Sequence, residues 1–139
     1  MEKSIETKII DAMYANDDFS QWLGIKRLEE GPGYSKIQMT IRKEMTNGFD
    51  IAHGGITFSF ADSAFAFASN SRGVHAVSIE TSISHTKSLK AGDIITAEAI
   101  EKNLTRKTGI YQVDVKNQAN EIVALFKGTV YRKEKEWKV

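Results

Sequence analysis

The chain has 139 residues, of which 41% are hydrophobic and 27% charged, and its formal net charge is +1 at pH 7. These values are typical of one globular domain, and the near-neutral charge gives no general attraction to nucleic acid or membranes. The absence of cysteine excludes disulfides, thiolate catalysis and thiolate metal ligands. No apolar run reaches the roughly 18 residues of a membrane span, and the charged N-terminus lacks a signal-type apolar core. The sequence therefore predicts a cytoplasmic protein without nucleic-acid or membrane partners.

Two helical segments are predicted at the start of the chain. Ile5, Ile9 and Met13 recur at four-residue spacing. This spacing indicates an amphipathic helix over residues 2–16, and a short helical turn is expected at 19–23.

Two strands are predicted next. The only proline, Pro32, lies between two glycines and marks a turn. It separates predicted strands at 25–30 and 34–42. In the second of these, apolar and polar residues alternate, which is the two-residue period of a half-buried strand.

Residues 54–71 predict a long helix that is apolar on almost every side. Phe58, Phe60, Phe65 and Phe67 lie on different faces of this helix. A helix of this kind is buried on most sides. The alanines between the aromatic residues would let a sheet or another backbone approach closely.

The second half of the chain predicts four successive strands joined by short turns. Short connections favour antiparallel neighbours, so consecutive strands are expected to pair. The predicted strands cover residues 75–87, 94–102, 108–117 and 121–132. One apolar helix against a mostly antiparallel sheet is an α+β architecture. We expect a single domain over residues 1–139, in which residues 1–23 form an N-terminal helical segment.

Asp62 is the most conspicuous polar residue of the long helix. Its helix neighbours Phe58, Ala61 and Phe65 are apolar, and a carboxylate is costly to bury in such surroundings. One interpretation is an acid that serves as nucleophile or general base on a carbonyl group. The alternative is a solvated acid or one held by a hydrogen bond within the helix.

Gly54 and Gly55 open the same helix. The first backbone N–H groups of a helix have no partner inside it, and the helix dipole makes them attractive to negative charge. Such a donor can stabilise an oxyanion. The alternative is a tight turn that requires glycine at positive φ.

Asn47 and His53 precede the helix and allow two interpretations each. Asn47 stands before a glycine, a common turn pair, but its amide could also orient substrate or water. His53 fits a cap or turn-stabilising residue as well as a site residue. His75 and His85 have no partners at metal-ligand spacing, so they are expected to be structural, and no metal site is expected.

The spacing of Gly54 and Asp62 predicts a dimer. They are eight residues apart, which is about 12 Å along a helix axis. One carbonyl group cannot lie close to both in a single chain. Two antiparallel helices related by a two-fold axis would bring Gly54 of one chain near Asp62 of the other. We therefore expect an obligate homodimer with two active sites at its interface.

The chain contains the pattern Asn-x5-His-Gly-Gly-x6-Asp, and the segment ADSAFAFASNSRG begins one residue before the Asp of this pattern. In both features it closely resembles the hotdog-fold acyl-CoA thioesterases of the phenylacetate-degradation (PaaI-like) type. The resemblance extends over residues 25–132 and includes KAGDIITAEA. It implies a hotdog fold, in which a curved, mostly antiparallel sheet wraps a long central helix. It also implies a dimer, often a dimer of dimers, with no metal and no cofactor beyond the coenzyme A of the substrate.

The resemblance also implies roles for individual residues. Asp62 matches the acid that attacks the thioester or activates water, and the backbone N–H of Gly54 matches the oxyanion donor. His53 supports the loop and Asn47 positions substrate or water. Ser78 matches a serine that helps to hold the hydrolytic water.

A CoA substrate also needs contacts at its carbonyl and its phosphates. Gly55 is expected to shape the turn at the substrate. Basic side chains at strand ends and turns could bind the phosphates. The candidates are Lys87, Lys90, Arg106, Lys107, Arg132 and Lys133. Of these, we expect Lys90, Arg106 and Lys107 to bind the substrate.

The leading interpretation is an acyl-CoA thioesterase that converts a medium-sized or aryl-acetyl CoA, of the phenylacetyl type, to free acid and CoA. One alternative is a non-catalytic acyl-CoA-binding hotdog module. A second is a hotdog dehydratase with His53 as base, although the proline-rich motif of such enzymes is missing. The sequence leaves open the acyl group and the choice between nucleophile and general base for Asp62.

Overall fold

The structure, a computed structural model, describes residues 2–139, so Met1 of the predicted domain lies outside the described residues. Three α-helices and six strands occur in this range. The helices are α1 (Ile5–Ala15), α2 (Asp18–Leu23) and α3 (Gly54–Asn70). The strands are β1 (Lys26–Gly31), β2 (Tyr34–Thr40), β3 (Val74–His85), β4 (Ile94–Leu104), β5 (Thr108–Lys116) and β6 (Ile122–Glu136). Every predicted element is present, with ends that differ by a few residues.

Side-chain caps determine where the first two helices begin. The Ser4 hydroxyl accepts a hydrogen bond from the Thr7 N–H at 3.1 Å, so α1 begins three residues later than predicted. Asp17 caps α2 in the same way, through the Ser20 N–H at 3.0 Å. Gly24 then ends α2 in the left-handed conformation, with φ of 77°.

The six strands form one antiparallel sheet in the order β1-β2-β4-β5-β6-β3. The expectation that consecutive strands pair is correct for β1–β2, β4–β5 and β5–β6 but wrong for β3 and β4. The connection between these two strands crosses one end of the sheet. At one side Thr86 donates its N–H to Val123 O at 2.9 Å, and at the other Ile41 donates to Asp93 O at 2.8 Å. As a result β3 lies at the far edge, beside β6.

Helix α3 packs against strands β2 to β6, and the sheet curves around it. The core is formed by the buried faces of this helix and of the sheet. Phe65 of α3 is fully buried between Tyr111 and Phe126, with ring centroids 5.9 and 5.5 Å away. The α+β prediction of a long central helix wrapped by a curved antiparallel sheet is confirmed.

Gly128 of β6 makes room for the ring of Phe65. A Cβ atom at position 128 would lie 2.6 Å from the Cζ atom of that ring, which is closer than two carbon atoms can approach. Because the ring is also enclosed by Tyr111 and Phe126, it has little room to move. The sheet can therefore approach α3 at this point only with glycine at position 128.

We predict that Gly128→Ala lowers the free energy of unfolding by about 1–3 kcal/mol, as overpacking of a core does. Urea denaturation followed by circular dichroism measures the change. Gly31→Ala is a matched control, because a methyl group there would meet no atom within 4 Å. The penalty should also disappear when Phe65 is replaced by Ala. Equal stability of Gly128→Ala and the natural chain would contradict this packing.

Two observations concern membranes and metals. Over residues 2–139 no helix combines the length and apolar character that a bilayer span requires. Within the same residues no three His, Asp or Glu side chains come together as metal ligands would. The predicted absence of a metal cofactor stays a prediction.

Candidate active site

The start of α3 presents free backbone donors. His53 is the N-cap residue, and its own N–H donates to Met45 O at 2.9 Å, which fixes the direction in which the helix begins. In residues 2–139 neither Gly54 nor Gly55 donates its N–H to an acceptor. The His53 side chain is exposed and makes no capping hydrogen bond. The positive end of the helix dipole therefore faces outward without a partner.

A cleft of about 370 Å³ opens beside these donors. Asn47, Gly54 and His85 line it, so the structure brings two of the predicted site residues together. The other lining residues are Ile51, Ala52, Thr57, Thr86, Lys87, Ser88 and Leu89. Both the loop before α3 and the connection after β3 therefore form its walls.

The two ends of the Asn47 side-chain amide have different surroundings. Its side-chain oxygen accepts a hydrogen bond from the Phe49 N–H at 2.9 Å, which holds the loop before the helix. Its amide nitrogen has no hydrogen-bond partner among residues 2–139. The turn interpretation and the substrate-orienting interpretation of Asn47 are thus compatible.

Limited space, not backbone conformation, explains the glycine at position 54, and neither explains Gly55. Neither Gly54 nor Gly55 has positive φ, so the tight-turn alternative is wrong. A Cβ atom at Gly54 would lie 3.0 Å from Nε2 of His85, whereas a Cβ at Gly55 would meet nothing within 4 Å. His85, expected to be structural, therefore contacts the start of α3 inside the cleft. No local pattern could have found this contact, because the two residues are far apart in the sequence.

Asp62 lies on α3 outside the cleft. Its side chain is half-buried, and within residues 2–139 it has neither a hydrogen bond nor an ion pair. Burial raises the pKa of the Asp62 carboxyl above its ordinary value, and the negative charge of Asp17 raises it further. The alternative of a hydrogen bond within the helix is not observed. An unpaired carboxylate in a partly desolvated position is a stronger base than an exposed one.

One protomer keeps Asp62 and Gly54 apart. They are separated by eight residues of uninterrupted helix, about 12 Å. Asp62 shares one face of α3 with Gly55, Ser59 and Ala66, which follow the spacing of helix neighbours. None of these four residues is fully buried. This uncovered face, the small-residue face, consists of residues whose side chains would let another helix approach closely.

The remaining predicted residues lie in three places. Ser78 is exposed on β3, opposite Val130 of β6. Lys90 is exposed beside the cleft residue Leu89. Arg106 and Lys107 lie in the hairpin after β4, at the opposite end of the sheet, so one protomer does not gather the predicted phosphate contacts. The roles assigned to these residues stay predictions.

The sequence belongs to a known group. Residues 49–124 match the sequence profile of the thioesterase superfamily. A protein of Archaeoglobus fulgidus is 48% identical over 125 residues, which cover 90% of this chain and 81% of that protein. The acyl-coenzyme A thioesterase PaaI of Escherichia coli is 40% identical over 121 residues, or 87% of this chain and 86% of PaaI.

Solved structures give the same result. The structure of E. coli PaaI, from the phenylacetic acid degradation operon, superposes with a TM-score of 0.93 at 36% identity and covers 95% of this chain and 96% of that one. A Streptococcus mutans protein bound to acetyl CoA superposes with a TM-score of 0.79 at 26% identity, over 81% of this chain and 91% of that one. The chain therefore belongs to the thioesterase superfamily, in its PaaI-like group of hotdog-fold thioester hydrolases.

Proposed function

We propose that the chain hydrolyses an acyl-CoA thioester with a medium-sized or aryl-acetyl group, of the phenylacetyl type, to free acid and CoA. The observation that carries this proposal is the cleft lined by both Asn47 and Gly54, whose N–H has no partner within residues 2–139. The helix that begins at Gly54 also presents the unpaired Asp62. The name of the E. coli relative supports the reaction, and the acetyl CoA bound to the S. mutans protein supports the class of substrate. A cytoplasmic location is part of the same proposal.

The Gly54 N–H is the proposed oxyanion donor. The thioester carbonyl oxygen accepts its hydrogen bond, and the bond strengthens as negative charge develops on that oxygen during attack. The helix dipole acts in the same direction. The free amide of Asn47 holds the substrate or the attacking water at the same wall of the cleft.

Asp62 supplies the base or the nucleophile. As a base it takes a proton from water, whose oxygen then attacks the carbonyl carbon. As a nucleophile it attacks that carbon itself, and water afterwards hydrolyses the resulting anhydride. In both routes the carbon–sulfur bond breaks, CoA leaves as the thiolate, and the thiolate is protonated. The raised pKa of Asp62 favours proton transfer near neutral pH.

We propose that each active site is completed by a second chain in a homodimer. The 12 Å between Gly54 and Asp62 requires that the acid come from a second copy of α3, and the small-residue face would let that helix approach. Strand β3 is the free edge beside β6, with Val77 and Ile79 exposed at 42% and 59%. Such an edge is a ready template for another strand. Pairing two β3 strands about a two-fold axis would continue the sheet across both chains.

The two-fold axis would also bring together the residues proposed to bind the CoA phosphates. It would place the end of the sheet that carries the cleft in one protomer beside the other end of the sheet in the second protomer. Lys90 of one chain and Arg106 and Lys107 of the second chain would then lie on the same side of the interface. We propose that these residues contact the phosphates together and that two dimers associate further into a tetramer.

A panel of acyl-CoAs tests the proposed function. We expect free CoA, detected with a thiol reagent, from the purified chain, with the highest kcat/KM for phenylacetyl-type groups and lower values for acetyl-CoA. A chelator should leave the rate unchanged if no metal takes part. Tight binding of acyl-CoA without CoA release would instead support a binding module. Loss of the enoyl-thioester absorbance without CoA release would support a dehydratase.

A further inference from the structure

The cleft contains a second nitrogen donor beside Gly54. His85 is the last residue of β3, and its exposed side chain forms part of the cleft wall. In residues 2–139 its imidazole takes part in no hydrogen bond, and Nε2 lies 3.0 Å from the Cβ position of Gly54. An exposed strand end needs no histidine for packing. The ring is therefore placed to contact a ligand in the cleft.

The Nε2 atom of His85 and the N–H of Gly54 can reach the same acceptor. The Cβ position and the amide nitrogen of one residue share a Cα and are about 2.5 Å apart. An oxygen that accepts from the Gly54 N–H on the side that faces His85 would lie within reach of Nε2. A histidine ring donates from Nε2 both as the imidazolium and as the neutral tautomer with hydrogen on that atom.

We propose that His85 is a second oxyanion donor, with Nε2–H directed at the carbonyl oxygen held by Gly54. This inference rests on the proposed function, because it takes the Gly54 N–H as the first donor. The reaction needs no additional proton from the ring. The thioester oxygen gains negative charge during attack and returns it when the carbon–sulfur bond breaks, and two donors stabilise that charge better than one.

The charges around the ring are compatible with donation. Among the described residues 2–139, Lys87 is the one ionisable side chain of the cleft lining apart from His85 itself. Its ammonium group is paired with Glu121 at 2.7 Å, outside the cleft. Within the same residues no carboxylate lines the cleft to draw the imidazole away from a carbonyl oxygen. Thr57 adds only an uncharged hydroxyl on the helix side.

The test compares three variants by kcat and KM for the best acyl-CoA. His85→Phe keeps a ring but removes the donor, and we expect kcat to fall about 10–100-fold with KM unchanged. His85→Gln keeps a side-chain N–H and should retain more of the kcat than His85→Phe. Lys8→Gln is the control, because Lys8 is exposed on α1, away from the cleft and from β3. Its kcat should equal that of the natural chain.

Two results would overturn the inference. The first is an unchanged kcat in His85→Phe. The second is an equal rise in KM for Phe and Gln with kcat unchanged, which would make His85 a CoA contact. Asp62→Asn in the same assay separates this inference from the proposed function. No CoA release from the natural chain refutes the proposed function, and an active Asp62→Asn enzyme refutes the role of Asp62. An inactive Asp62→Asn enzyme beside a fully active His85→Phe enzyme refutes only the role of His85.

Discussion

Asp62→Asn is expected to remove nearly all CoA release, with a fall in kcat of about 10²–10⁴-fold. Asparagine has nearly the same size as aspartate, but it can neither take a proton from water nor form an acyl-enzyme. The half-buried carboxylate has no partner within residues 2–139, so the substitution breaks no hydrogen bond or ion pair of this chain. A steady-state assay with a thiol reagent measures the loss.

The same variant should be more stable than the natural chain at neutral pH. Because folding raises the pKa of Asp62, its ionised form is disfavoured in the folded state. The natural chain therefore loses stability relative to the variant as the pH rises from the ordinary pKa of a carboxyl group through the raised pKa of Asp62 in the folded chain. Below the ordinary pKa the two melting temperatures should agree.

Asp18→Asn is the matched control for turnover. Asp18 is an exposed acid at the start of α2 and does not contribute to the pKa shift of Asp62. It should leave turnover unchanged. Undiminished turnover in a folded Asp62→Asn enzyme would refute the proposed role of Asp62.

Gly54→Pro is expected to lower kcat by about 10²–10³-fold, the usual cost of losing one oxyanion donor. Gly54 is the first residue of α3, and proline is well tolerated there because the N–H it lacks makes no helix bond. His53 has φ of −56° and ψ of 137°, a conformation that residues before proline adopt readily. The substitution thus removes the N–H donor and preserves the helix, while it adds ring atoms beside His85.

Gly54→Ala is the control that isolates the N–H group. Alanine keeps the donor but adds the methyl group that contacts His85, as the proline ring also does. Alanine should therefore retain most of the activity that proline loses. Equal activities of the two variants would mean that the N–H of Gly54 is not a donor to the substrate.

Mixed dimers distinguish a shared site from a site within one chain. If each site uses Gly54 of one chain and Asp62 of the other, a mixed dimer of Gly54→Pro and Asp62→Asn chains contains one intact site. Random reassociation of equal amounts should then restore about a quarter of the natural activity. No recovery, with mixed dimers verified by mass spectrometry, would place both residues of a site in one chain.

The fold was largely predictable from the sequence because its patterns are local. The period of two in β2 and the apolar α3 identify their elements without knowledge of the rest of the chain. The position of β3 was not predictable in this way. It depends on backbone hydrogen bonds such as Thr86 to Val123, between segments that are distant in sequence. A short connection makes two consecutive strands neighbours only when backbone hydrogen bonds do not hold that connection across the end of the sheet, as they do between β3 and β4.

The candidate site was predictable to the extent that it lies in one segment. Asn47 and Gly54 occupy the same cleft, as a substrate-binding role requires. His85 was missed because its contact with Gly54 arises from the return of β3 along α3. The spacing of Gly54 and Asp62 on one helix predicts that a single chain does not complete the site, and this stays a prediction.

The edge position of β3 also has a consequence for biosynthesis. Its hydrogen-bond partners lie in residues 124–136, which leave the ribosome after the other five strands. Until then β3 lacks the neighbouring strand with which it pairs, whereas β1, β2, β4 and β5 can already pair. Pairings between distant segments slow folding and prolong the exposure of apolar surface. A chain that lacks β6 would therefore be more prone to aggregation than the natural chain.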